Sequence, residues 1–303
     1  MKSNFEVKRR FAKLTLVENI EQTLDLQPSD PRDNQLELTV EPTPDNPPWN
    51  GWIAIGTWIL SVLLIAIVPS LILVMYALTQ NPPISDSEAL VEFAKNDPFA
   101  IILQVVSIIP VHLITLLIAW LVVTRFRAFS FRKTLGWEAG SISWWYYPVI
   151  LITFAVVAGV ISYYVPEQEN DLIRMLRSSK SAVYIVAFLA TFTAPIVEEV
   201  IYRGILYSAF QRTVGVPAAF MIVTFMFALV HVPQYYPSYS TIFLLGMLSV
   251  ILTWLRVRSK NLLPCIILHT LFNGIQSLLL VLGTMTDSLD SPPDPGFVFH
   301  IFK

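Results

Sequence analysis

The chain has 303 residues, 54% of them hydrophobic and only 14% charged, where a soluble domain carries about 25% charged residues. That balance excludes an ordinary soluble globular protein, and a formal net charge of -2 offers no concentrated basic face for nucleic acid. The single cysteine, Cys265, excludes intrachain disulfides and any zinc site built from several cysteines; it lies in an apolar run and reads as a core thiol.

Residues 1–50 mix charges with Pro28, Pro31, Pro42, Pro44, Pro47 and Pro48 and keep no period, which reads as a disordered polar tail. No short apolar run stands near the start, so no signal peptide is expected. Lys8, Arg9, Arg10 and Lys13 form a basic patch suited to anionic lipid. Two N-terminal spans follow within residues 51–123, at 52–78 and 99–123, each a run of the ~17–25 apolar residues that a bilayer requires. An acidic segment with Asp86, Glu88 and Glu92 separates them.

Residues 124–283 form the rest of the bundle. Arg125, Arg127, Arg132 and Lys133 alternate with Phe126, Phe129 and Phe131, the pattern of an interfacial segment turned towards headgroups. Trp144-Trp145-Tyr146-Tyr147 makes an aromatic anchor ahead of a third span to 165. Four more spans are expected at 181–212, 216–232, 239–255 and 263–282. Residues 284–303 read as a loose tail rich in Pro and Asp. The fold class is therefore an all-α polytopic membrane protein with about seven transmembrane helices. Lys and Arg concentrate in the segments that share a side with the N-terminus, which predicts a cytosolic N-terminus in a multi-pass protein of the plasma (inner) membrane.

One stretch breaks the apolar pattern: Ala194-Pro195-Ile196-Val197-Glu198-Glu199-Val200-Ile201-Tyr202-Arg203-Gly204. A charge near the bilayer centre costs about 2.5–3.5 kcal/mol, so such residues face the protein interior and have a function there. Glu199 and Arg203, four apart, suit a structural ion pair. That leaves Glu198, which points about 100° away, without a structural reason.

Three of the four histidines lie in predicted spans. Glu198 and His231 each stand 15 residues from the turn at Val214-Gly215, so an antiparallel hairpin brings both to the same depth, ~22 Å from the turn. His269 and Asn273 are four apart and share a helix face; His269 is only ~14 Å from its own turn near Lys260, a looser match. Glu, His, His and Asn in a dry interior suit hydrolysis by water. The carboxylate takes a proton, a histidine shares it or gives it to a leaving amine, and His with Asn stabilises an oxyanion. Glu198, His231 and His269 would equally suit zinc. Each residue has a plainer alternative: His231 closes its helix end before Pro233, and His269 with Asn273 forms an interhelical hydrogen-bond pair. His112, beside Pro110 in an Ile/Leu/Val helix, reads as structural or pore-lining, and His300 as irrelevant to the site.

Other intramembrane hydrolase designs fail by inspection. No His precedes a Glu, so there is no zincin HExxH helix. No span contains Asp, which removes an aspartyl dyad, and no Gly stands two residues before a Ser as a rhomboid-type serine site would have it.

Glu198-Glu199-Val200-Ile201-Tyr202-Arg203 resembles the EExxxR signature of the CPBP family of intramembrane proteases, which groups type II CAAX prenyl endopeptidases with bacterial Abi proteins. Phe227-Ala228-Leu229-Val230-His231 resembles its FxxxH motif, His269-Thr270-Leu271-Phe272-Asn273 its HxxxN motif, and Leu135-Gly136-Trp137 also fits. The similarity covers roughly residues 125–283. It implies a bundle with a conical polar cavity open to the cytosol, in which Glu198 and His231 activate water and His269 and Asn273 stabilise the oxyanion. Glu199 and Arg203 are organisers or peptide-binding groups. A metal-free mechanism is expected, with zinc on Glu198, His231 and His269 as the alternative. The partners implied are membrane lipid and a membrane-associated protein or peptide substrate, with no nucleic acid. The rival function is a non-catalytic membrane scaffold or bacteriocin-immunity-type protein that keeps the same polar cluster.

Overall fold

A computed structural model describes residues 41–286. The basic patch at residues 8–13, His300 and the predicted C-terminal tail beyond 286 lie outside the described residues. The compact unit begins at Pro42, and its described residues are all-helical apart from one bridge between Thr43 and Asn46.

Among the described residues six helical stretches are long and apolar enough to cross a membrane, so the chain is a polytopic integral membrane protein. The first is α1 (Gly51–Leu78), whose start is fixed by the Asn50 side chain accepting from Ile53 N–H. The short α2 (Ser87–Asn96) follows, capped by Asp86. The second span joins α3 (Pro98–Val106) to α4 (Ile108–Thr124) across Ser107. Asp97 caps α3, and Pro98 takes the first-turn position where its missing N–H is no loss. After α5 (Phe131–Leu135) comes the third span, α6 (Tyr146–Tyr164), and then the amphipathic α7 (Asp171–Ser178).

The fourth stretch, Lys180–Tyr235, is 56 residues long and accounts for the difference between six and the expected seven. Its hydrogen bonding is nearly continuous, but the backbone reverses at Gly215 (φ 81, ψ 164), a conformation that glycine adopts without penalty. The two limbs return side by side: the Tyr202 and Phe227 rings are 5.1 Å apart, and both residues stand almost equally far from the turn. The stretch comprises α8 (Lys180–Phe188), a π-helical segment (Leu189–Thr193), α9 (Ala194–Glu199), a second π-helical segment (Val200–Leu206) and α10 (Tyr207–Tyr235). The last spans are α11 (Tyr239–Ser259) and α12 (Leu263–Thr286), so the final helix runs three residues past the expected boundary at 283.

The connections sort into two groups. At one end, Leu262 N–H bonds Leu135 O and Gly136 O at 3.2 and 2.8 Å, which ties the loop after α5 to the α11–α12 turn. Gly136 has φ 69, and a Cβ there would meet Asn261 Oδ1 at 2.5 Å and Pro44 Cγ at 2.7 Å, so only glycine fits this crossing. At the other end, Gln168 N–H reaches Ser238 Oγ at 3.4 Å and Thr241 Oγ1 donates to Glu167 at 3.0 Å.

Residues 42–50 correct the expectation of a disordered tail up to residue 50. They form a strap on the first of these ends. Arg256, 1% exposed, donates to Asp45 Oδ1 at 3.2 Å, Pro44 O at 2.7 Å and Ser208 Oγ at 3.2 Å. Arg212 donates to Pro47 O at 2.6 Å, and the buried Trp49 indole donates to Ile205 O at 3.0 Å. A buried guanidinium needs such partners, and the strap supplies two of the three, one carbonyl and one aspartate, which composition alone does not reveal. Cys265 is a buried core thiol between α11 and α12, as the sequence implies, with Sγ 3.4 Å from Leu252 O.

Candidate functional site

The charged motif lies between two places where the helix widens. Ala194 N–H bonds Leu189 O, five residues back, and Tyr207 N–H bonds Tyr202 O in the same way. Such π-helical insertions cost regularity and are concentrated at functional sites. Pro195 explains the first. Ala190 O would be reached by Ala194 N–H in an α-helix, or by residue 195 in a π-helix. The former is engaged with Leu189 O and the latter, a proline, has no N–H. The orphaned Ala190 carbonyl accepts instead from Asn273 Nδ2 on α12, at 2.9 Å. Asn273 is therefore anchored to the break in the helix that carries the glutamates.

Glu199 and Arg203 are both 0% exposed and form the ion pair that their spacing predicts, Nη1 to Oε1 at 2.9 Å. Sequence reasoning did not find the rest of this cluster. Arg203 also donates from Nη2 to Ser249 O (3.1 Å) and Ser249 Oγ (2.8 Å), and from Nε to Thr253 Oγ1 (3.3 Å). Its guanidinium carbon lies 4.7 Å from the Phe227 ring centroid. Ser249 and Thr253 are four apart on α11, which was the available signal, but small hydroxyls are common in transmembrane helices and carry little information there. Tyr202 is held by the Trp58 indole, which donates to its hydroxyl at 3.0 Å.

His269 joins both glutamates. Its Nδ1 lies 2.8 Å from Glu199 Oε1, the oxygen that also receives Arg203, and its Nε2 lies 3.8 Å from Glu198 Oε2. A carboxylate accepts, so Nδ1 carries a hydrogen towards Glu199. Nε2 then faces the second carboxylate, and two bare acceptors do not face each other comfortably; a proton or a water belongs on that line. The side chain of Glu198 is 26% exposed, against 3% for His269, so Glu198 is the member of the motif that water and a ligand can reach.

His231 is half-buried. It donates from Nδ1 to Phe227 O at 2.7 Å and its ring packs on Phe227 at 4.7 Å. The bond to a carbonyl fixes the tautomer, leaving Nε2 as acceptor in the neutral ring. The hairpin register set by Tyr202 and Phe227 puts Glu198 and His231 at the same level, one turn further from Gly215.

The looser depth of His269 has a geometric reason. Leu262, at the α11–α12 turn, packs against Gly204, ten residues short of Val214, so the hairpin projects ~15 Å beyond that turn. Counted from Gly204, Glu199 is five residues in, and His269 is seven residues from Leu262.

Zinc needs three protein donors around one point. Among the described residues no group of three His, Cys, Asp or Glu side chains is placed to hold a metal ion: Glu198 and His269 approach, and no third donor joins them. The residues as placed do not fit that group.

No curated protein and no solved structure matches the chain significantly. Residues 180–275, the stretch that carries all three motifs, match the family model described as type II CAAX prenyl endopeptidase Rce1-like, which bears out the resemblance to the CPBP intramembrane proteases.

Proposed function

We propose that the protein is an intramembrane endopeptidase that hydrolyses a peptide bond of a membrane-associated protein or peptide. Glu198 is the general base and takes a proton from water. The water oxygen attacks the scissile carbonyl, and the oxyanion is stabilised by His269 and by Asn273. His231, at the level of Glu198 with Nε2 as acceptor, shares in handling the proton that passes to the leaving amine. Glu199 and Arg203 hold His269 and the helix in place, which makes them positioning residues. The cluster opens to the cytosol in a multi-pass plasma (inner) membrane protein with its N-terminus inside.

One observation carries this reading: the half-buried Glu198 stands beside the Nε2 of a histidine whose other nitrogen is fixed by a buried ion pair. A non-catalytic scaffold needs no such chain of fixed tautomers. Comparing the membrane proteins and released peptides of cells that express wild type or Glu198→Gln tests it. The substrate appears as a fragment lost in the variant. Full complementation of a deletion strain by Glu198→Gln, with no fragment difference, would sink the protease reading.

A further inference from the structure

The second span lies outside the matched segment, yet it delivers a histidine to the surroundings of Glu198. His112, on α4, is 8% exposed. Its Nδ1 lies 2.8 Å from Thr193 Oγ1, and Thr193 Oγ1 lies 3.1 Å from Leu189 O. A carbonyl only accepts, so the threonine hydrogen points at Leu189. The hydroxyl oxygen then faces the ring as acceptor, and Nδ1 carries the hydrogen. A neutral ring fixed in this way presents Nε2 as a bare acceptor. Among the described residues nothing bonds that nitrogen, and α4 packs against α9, the segment that carries Glu198.

A structural histidine bonded to Thr193 accounts for the Nδ1 edge. It does not account for Nε2, a second polar edge that an Ile/Leu/Val helix does not need, since a leucine would fill the same place with no polar atom to satisfy. Thr193 belongs to the π-helical segment that ends just before α9, so the hydrogen-bond chain is anchored to the same irregularity that sets the position of Glu198.

On the reading of Glu198 as base, we propose that His112 positions the attacking water from the side of the site away from His269. One O–H of the water donates to the Glu198 carboxylate and the other to His112 Nε2. Glu198 removes the first hydrogen as a proton, and the freed oxygen pair forms the bond to the carbonyl carbon while the carbonyl pair moves onto oxygen. The second hydrogen stays on the new hydroxyl, held by His112. When the intermediate collapses, the C–N bond breaks and the proton on Glu198 passes to the leaving amine. His112 exchanges no proton and acts as a positioning residue.

Two substitutions separate the two edges of the ring. Asparagine places its amide nitrogen near Nδ1 and keeps the bond to Thr193, with nothing at Nε2. Glutamine reaches the Nε2 position with its amide oxygen and gives up the Nδ1 geometry. His112→Asn is expected to melt near wild type while kcat falls about 10²-fold at unchanged KM, as for a misplaced reactant. His112→Gln is expected to recover part of kcat despite a lower melting temperature. A purely structural role predicts the reverse order. Nitrogen NMR of 15N-histidine-labelled protein gives a readout that needs no substrate. The His112 Nε2 signal should be that of an unprotonated nitrogen and should move in Glu198→Gln. Wild-type kcat in His112→Asn beside an inactive Glu198→Gln overturns the role of His112 alone. So does a protonated Nε2 with bare Nδ1. Full activity of Glu198→Gln overturns the base reading, and this proposal with it.

Discussion

His269 meets Glu199 at 2.8 Å across 70 positions of sequence, and that bond decides which of its nitrogens Glu198 sees. Because Glu199 Oε1 also receives Arg203, the orientation of His269 is tied to a guanidinium fixed at three further acceptors on α11. The two adjacent glutamates thus hold different positions: one is buried support, the other is partly exposed. Orienting contacts of this kind behind a reactive residue make it more precise than a residue placed by its own helix alone.

Arg203→Ala should lower the melting temperature in detergent sharply, since removing one partner of a buried ion pair costs about 3–5 kcal/mol. Arg203→Lys should recover little of this, because an ammonium cannot serve Glu199, Ser249 and Thr253 together. Glu198→Gln should melt close to wild type. Equal melting temperatures for Arg203→Ala and wild type would refute the supporting role.

Asn273→Ala should have two separable effects. Losing the donor to the half-buried Ala190 carbonyl destabilises the fold by about 1 kcal/mol. Losing an oxyanion donor lowers kcat about 10²–10³-fold. Thermal melts and turnover measured on the same preparation distinguish them. A stability loss with unchanged kcat per folded molecule would leave Asn273 as the clamp on Pro195's broken turn and nothing more.

His231→Ala should reduce turnover at least about 10²-fold, the lower range of general acid–base contributions, with substrate still bound. Retention of most of the activity would assign His231 to closing its helix.

Trp49→Phe loses both the N–H to Ile205 O and part of the volume of a buried indole, so it should destabilise by about 1–3 kcal/mol. Asp45→Ala should cost less, about 1 kcal/mol, because Asp45 is 42% exposed and solvent screens the pair. If both variants melt as wild type does, the strap is not part of the folded bundle.

Cysteines placed at Arg132, Val214 and Lys260 in a Cys265→Ala background should all label from one side of the membrane, and cysteines at Glu92 and Asp171 from the other. The concentration of Lys and Arg at the first end predicts that this side is cytosolic. Labelling of the first three from outside intact cells would reverse the orientation of the site.

Much of the site was legible because it follows helical arithmetic. The spacing of Glu199 and Arg203 foretold their ion pair, and equal counts on either side of Val214-Gly215 foretold a register that Tyr202 and Phe227 display. What escaped depends on departures from that arithmetic. The π-helical segments shift phase by one residue, and only Pro195 hints at one of them. Ser249 and Thr253 are small hydroxyls without a period of their own. The strap is fixed by backbone carbonyls, which every sequence possesses, and by the indole of Trp49. The bond from His112 to Thr193 spans 81 residues, and no count from a shared turn connects them, so the sequence reads His112 as structural or pore-lining.

The approach of His269 to Glu198 also bears on how the interior is completed as the chain is made. Glu199 emerges four residues ahead of Arg203, so those two charges can enter the bilayer as a compensated pair. Glu198 has no such neighbour. Its approach to His269 must wait until α12 has been synthesised, some seventy residues later, and an isolated carboxylate at that depth bears about 2.5–3.5 kcal/mol until then. The final span is thus the piece that completes the interior during biogenesis. Chains released before it should be the ones that membrane quality control removes.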